Sequence, residues 1–171
     1  PDLARIQFHT MEMSVTDLIA VTADDCASQK LEKTQALGSV LADLVHGQKH
    51  PFTISLKSEQ RLCGLEFVME PTLEKDAIRI VGQWEGDLAF AIQDQTIHNI
   101  VVATANPSGF SLSESPFTIE IQMARWMNEV LNGLNDETGT LIINEMENPE
   151  RYQRFIANIQ PESFLVKPHV E

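Results

Sequence analysis

Between Pro51 and Thr104 the chain repeats a two-residue hydrophobic alternation through five short segments, and few architectures accept that pattern. Successive side chains of a strand point to opposite faces, so period two marks a half-buried sheet. Phe52, Ile54 and Leu56 make the first segment, and Cys63, Leu65, Phe67 and Met69 the second. Ile78 and Ile80 mark the third, Leu88, Phe90 and Ile92 the fourth, and Ile97 to Ala103 the fifth. Pro71 has no N–H to give a ladder, so the second strand should end near Glu70. Links such as Trp84-Glu85-Gly86-Asp87 and Gln93-Asp94-Gln95-Thr96 are too short for parallel crossovers, which predicts an antiparallel meander over 51–104. The large apolar residues share one face, where covering helices are expected. Gly64, Val68, Val81, Ala89 and Ala91 fall on the other face.

The flanking segments complete an α+β expectation. Ile6, Phe8, Met11, Met13 and Val15 alternate like a strand with a slip near His9-Thr10, although Ser14-Val15-Thr16-Asp17 also fits a capping box. Thr22-Ala23-Asp24-Asp25 is a second capping box. Leu31, Leu37, Val40, Leu41, Leu44 and Val45 behind it recur at helical spacing, which predicts a long N-terminal helix ending near Gly47. After the polar loop at Asn106-Pro107-Ser108-Gly109, Ser115-Pro116 predicts a helix start. That helix would carry Met123, Trp126, Met127, Val130, Leu131 and Leu134, with Phe117, Ile119 and Ile121 as an alternative strand. Leu141–Ile143 predicts a sixth strand and Asn148-Pro149-Glu150 a last helix through Ile159. Phe164–Val166 reads as a docked edge or a free end. The expectation is a single α+β domain over 1–171: an antiparallel sheet of five or six strands, a long N-terminal helix and two C-terminal helices.

Charge narrows the function classes. The chain carries a net −13. From Ile80 to Glu150 one basic residue, Arg125, stands against eleven acids, a net of −10 that leaves −3 elsewhere. Nucleic-acid binding depends on Lys and Arg displacing phosphate counterions, so no nucleic acid is expected. Anionic membrane surfaces are disfavoured on the same ground, and no apolar run reaches the roughly 20 residues of a span. The first residues lack the basic flank and apolar run of a signal peptide. Cys26 and Cys63 have no zinc or dithiol spacing, so free thiols in a cytoplasmic protein are expected, with one disulfide as the alternative for an exported chain.

The favoured partner is another protein with a basic or amphipathic surface, drawn in by electrostatic steering. An escort chaperone, an immunity protein or an adaptor would each qualify, and no cofactor, metal site or catalytic set is predicted. The site residues expected are Trp84, Glu85 and Asp87 at one turn, with Glu145 and Glu147. An aromatic ringed by acids suits a hot spot for such a partner. His46 and His50 are better explained by a helix end than by a metal. The acidic turn near Asp136 lacks calcium-loop spacing. The competing class is a small enzyme with a pocket between sheet and helices, using His98 paired with Asp94 or Glu66. A homodimer through the small-residue face or the long C-terminal helix is also expected.

Overall fold

The computed structural model describes residues 3–27, 30–37, 40–43, 60–84, 88–111, 117–134 and 139–168. Its longest element is the strand β1, Ile6–Ala23, of 18 residues. Straight, it would span about 60 Å, more than a small sheet needs. Register irregularities at Phe8/Thr10, Val15/Asp17, Leu18/Ile19 and Val21/Thr22 interrupt its ladders. Such bulges bend a strand and deepen its twist. A bent β1 can therefore serve two half-sheets at once.

Along one edge of β1 lie β2 (Glu32–Leu37) and β3 (Val40–Asp43), both antiparallel. Along the other edge β4 (Arg61–Met69) pairs with Val15–Ala23, and β5 (Ile78–Trp84) pairs with Ile6–Met13. Ser14 spans the gap between them: its N–H donates to Ala77 O at 2.9 Å, and its carbonyl accepts the Glu70 N–H at 3.1 Å. β6 (Leu88–Asp94) is antiparallel to β5, and β7 (His98–Ala103) is antiparallel to β4. Among the described residues the sheet has 8 strands in the order β7-β4-β1-β5-β6-β9, with β2 and β3 on β1. The last of that path, β9 (Gly139–Ile143), runs parallel to β6.

This overturns the expected α+β layout. The segment behind Thr22 is not a long helix in its described part but the strands β2 and β3. The supposed capping box is a turn in which Asp25 Oδ1 accepts the Ala27 N–H at 3.0 Å. Short side-chain caps and Asx turns use the same residues, so the signal was ambiguous. The meander is also broken. β5 and β6 are direct neighbours, but β4 and β5 are separated by β1, and β6 and β7 lie in different half-sheets. The strand expected at Phe52–Leu56 and the helix end with His46 and His50 lie outside the described residues, as does the acidic turn near Asp136.

The C-terminal part covers the inner face with less helix than expected. β8 (Phe117–Ile121) pairs with β10 (Phe164–Pro168) as a two-stranded ribbon. Between them α1 is only Met123–Trp126, followed by turns, while α2 runs Pro149–Asn158. Glu129 at φ 59° and Gly133 at φ 77° end any helical path through that stretch. The apolar stripe is nonetheless buried as its spacing implied: Trp126, Met127, Val130 and Leu131 are fully enclosed. A run of aromatics fastens the cover to the sheet. Phe67 of β4 stacks on Phe164 at 5.5 Å, Phe164 meets Trp126 edge-on at 5.6 Å, and Trp126 meets Phe155 of α2 at 6.1 Å. Among the described residues there is no long C-terminal helix for the expected dimer route to use.

The cysteines form a Cys26–Cys63 disulfide across 37 residues, not free thiols. It ties the β1–β2 turn to β4. Gly109, at φ +71°, packs against this corner so closely that a Cβ would meet Cys26 Sγ and the Leu62 carbonyl. No helix among the described residues is long and apolar enough to cross a membrane.

Candidate protein-docking rim

Of the expected site residues, Trp84 stands at one end of the sheet and Glu145 and Glu147 at the other. Trp84 is opposite Leu88, which is opposite Gly139, whereas Glu145 and Glu147 follow Ile143, which is opposite Ile92. Four strand residues, about 13 Å, separate those levels. Trp84 is moreover buried, at 6% exposure, with the Arg5 guanidinium 5.0 Å from its ring centroid. It is therefore a core residue under a cation–π contact, not an exposed hot spot. Its Nε1 is a buried donor with no hydrogen-bond partner among the described residues. Glu85 and Asp87 lie outside the described residues. Glu145 and Glu147 are exposed.

At the Glu145 end, three loops meet: 70–77, 95–97 and 144–148. Hydrogen bonds lace them to the sheet ends. Ala77 N–H donates to Asp94 O at 2.8 Å, Gln95 Nε2 donates to Asp76 Oδ1, and Asn144 Nδ2 donates to Gln93 Oε1 at 3.3 Å. Each loop projects one large apolar side chain into solvent: Leu73 at 107%, Met146 at 90% and Ile97 at 63% exposure. Only two other large apolar residues among those described are exposed, Leu31 and Val101. Those two border a hollow of about 280 Å³ beside the disulfide, elsewhere on the sheet.

The Met146 loop is internally fixed. Asn144 Oδ1 accepts the N–H groups of Met146 at 2.9 Å and Glu147 at 2.6 Å, and the Asn144 N–H donates to Glu147 O at 2.8 Å. Asn148 then turns the chain at φ 57° and donates its Nδ2 to Ile142 O at 2.7 Å. Pro149 starts α2 directly behind. The three loops together hold five acids, Glu70, Glu74, Asp76, Glu145 and Glu147, against Lys75. Apolar tips are thus set among negative charge. Of these acids the sequence singled out Glu145 and Glu147, and it missed Glu70, Glu74, Asp76 and the tips. The available signal was a single apolar residue inside each polar turn stretch, as in Glu145-Met146-Glu147.

Beneath the rim the fold brings His98 and Asp94 together, as the enzyme alternative required. His98 Nε2 lies 2.5 Å from Asp94 Oδ2, and Asp94 is fully buried. Asp94 Oδ1 accepts the Thr96 N–H and the Tyr152 hydroxyl, each at 2.8 Å. Both carboxylate oxygens are therefore engaged, and neither Asp94 nor His98 lines the hollow beside the disulfide. Burial pushes the Tyr152 hydroxyl up to about 12, and the Asp94 carboxylate adds to this against a lowering by Thr96. Such a phenol keeps its proton at neutral pH. The cluster ties β6, β7 and α2 at one corner.

Glu66 is not part of it. It faces the outer side of the sheet, where Lys33 Nζ reaches its Oε2 at 2.5 Å. The Lys33 hydrogen bond holds its carboxyl below the ordinary 4.5, against the opposing effect of burial, with a further lowering by Asn99. Among the described residues no group of three or more His, Cys, Asp or Glu side chains is placed to hold a metal ion. Comparison with protein-family models, curated proteins and solved structures gives no match.

Proposed function

We propose that this chain is a protein-binding module whose rim of Leu73, Ile97 and Met146 docks a basic, amphipathic segment of another protein. The observation that carries the reading is the exposure of three large apolar side chains on hydrogen-bonded loops at one end of the sheet. Monomeric proteins rarely leave grouped apolar tips in water unless they are used. The surrounding acids select the partner's sign: they favour Lys and Arg beside its apolar residues and disfavour nucleic acid and anionic lipid. Fixed loops lose little freedom on binding, which favours affinity. As to compartment, the Cys26–Cys63 disulfide favours an oxidising one over the cytoplasm.

The test uses fluorescence anisotropy with a labelled basic amphipathic peptide, an acidic peptide of equal hydrophobicity, and a basic peptide without apolar residues. The basic amphipathic peptide should bind, and raising salt from about 0.05 to 0.5 M should weaken it several-fold through screening. Joint replacement of Leu73, Ile97 and Met146 by Ser should cost at least about tenfold, or 1.4 kcal/mol. Equal affinity for all three peptides, or for wild type and the triple variant, would remove this reading.

A further inference from the structure

At the far end of α2 from the rim, a hollow of about 510 Å³ opens between α1 and the turn Pro161–Ser163. Its walls are held at fixed spacing. The enclosed Trp126 donates from Nε1 to Ser163 Oγ at 2.8 Å, and that hydroxyl donates to Gln160 O at 2.6 Å. Asn158 Nδ2 crosses the gap to Trp126 O at 3.1 Å and Asn128 O at 2.8 Å. The Gln122 N–H donates to Ser163 O at 2.8 Å. With these bonds made, two charges are left facing the hollow. Arg125 and Glu162 both line it and both are exposed. Among the described residues neither forms an ion pair, with the other or elsewhere.

Opposite charges that share a hollow without pairing ask for a ligand that carries both. The guanidinium fork matches a carboxylate with two parallel hydrogen bonds. A carboxylate such as Glu162 accepts an ammonium. A simple anion on Arg125 would be repelled by the Glu162 carboxylate in the same hollow, whereas a zwitterion meets a charge of opposite sign at each end. The volume falls in the range of small-molecule sites and accommodates an amino acid or a dipeptide. Asn128 and Gln160 supply amides for its remaining polar groups. We propose that the hollow between α1 and the Pro161–Ser163 turn binds a small zwitterion of amino-acid chemistry, its carboxylate on Arg125 and its ammonium on Glu162.

Titration of the full chain with L-glutamine and with glycylglutamine, followed by NMR shifts and calorimetry, tests this. Saturable binding is expected in the millimolar range or tighter, since exposed charges are screened. The dipeptide binding more tightly than the amino acid assigns a peptide ligand, and the reverse assigns a free amino acid. R125Q should weaken binding at least about tenfold, which is one missing charged contact. N-acetylation of the ligand should weaken wild-type binding as much as E162Q does and have no further effect in E162Q. Both variants sit at exposed positions, so unchanged thermal melting confirms that folding is intact. Absence of saturable binding by both probes at about 10 mM, or binding indifferent to R125Q and E162Q, overturns the proposal.

Discussion

The two ends of the sheet contain similar ingredients and use them in opposite ways. At one end Trp84 is enclosed and covered by Arg5. At the other, Leu73, Ile97 and Met146 are held out in water on loops tied down by Asn144, Asp94 and Gln95. Apolar residues beside acids therefore do not by themselves mark a binding surface. What distinguishes the ends is whether the surrounding backbone folds over the apolar group or fixes it outward. The closed end contributes stability, and the open end is free to contribute recognition.

That contrast predicts separable effects. Trp84→Ala should destabilise the fold by about 3–5 kcal/mol in denaturant melts, as large aromatic deletions do, with peptide affinity of the folded fraction unchanged. Trp84→Phe should cost far less, because it also removes a buried N–H that has no partner among the described residues. Asp94→Ala should cost about 3 kcal/mol by leaving His98, Tyr152 and Thr96 without their shared acceptor. Unlike Trp84→Ala, it should also weaken peptide binding, since Asp94 anchors the base of the rim. Replacing Cys26 and Cys63 together by Ser should cost about 2–4 kcal/mol and leave the rim's affinity intact.

The smaller effects concern pH and the rim tips. The Tyr152 hydroxyl at about 12 keeps its proton when the unfolded chain, with an ordinary value of 10.0, has lost it. Stability is thus full below pH 10 and falls as pH rises towards 12, and Tyr152→Phe should flatten that limb of the melting profile. Glu66 acts in the opposite sense. Its lowered value gives stability that is present above its ordinary 4.5 and lost as pH falls, an effect that Lys33→Met should reduce. Met146→Ser should move stability by no more than about 0.5 kcal/mol while lowering peptide affinity, the mirror image of Trp84→Ala.

How much of this was legible depends on which physical signal each residue carried. Period-two alternation correctly marked β4 to β7, and the slip near His9-Thr10 coincides with the register irregularity between Phe8 and Thr10. The pattern could not reveal that β1 lies between β4 and β5, because alternation specifies a face and not a neighbour. Helical spacing placed Trp126, Met127, Val130 and Leu131 in the core correctly. It could not foresee the left-handed backbone at Glu129, which needs no glycine. Leu31 to Leu44 satisfied a helical template, yet its described part pairs with β1, whose long edge demanded a partner. The sequence offered Asp94 or Glu66 as the partner of His98, and the fold chooses Asp94; Tyr152, 58 residues away from Asp94, was not foreseen. The acids Glu145 and Glu147 were singled out through composition, whereas the tips Leu73, Ile97 and Met146 became visible only once burial was known.

Hydrogen exchange on the chain alone and with the basic amphipathic peptide bound tests the rim most directly. The account predicts that protection gained on binding concentrates in 70–77, 95–97 and 144–148, with 78–84 unchanged. Protection that appears instead around Trp84 or beside the disulfide, with those three loops unaltered, would contradict it.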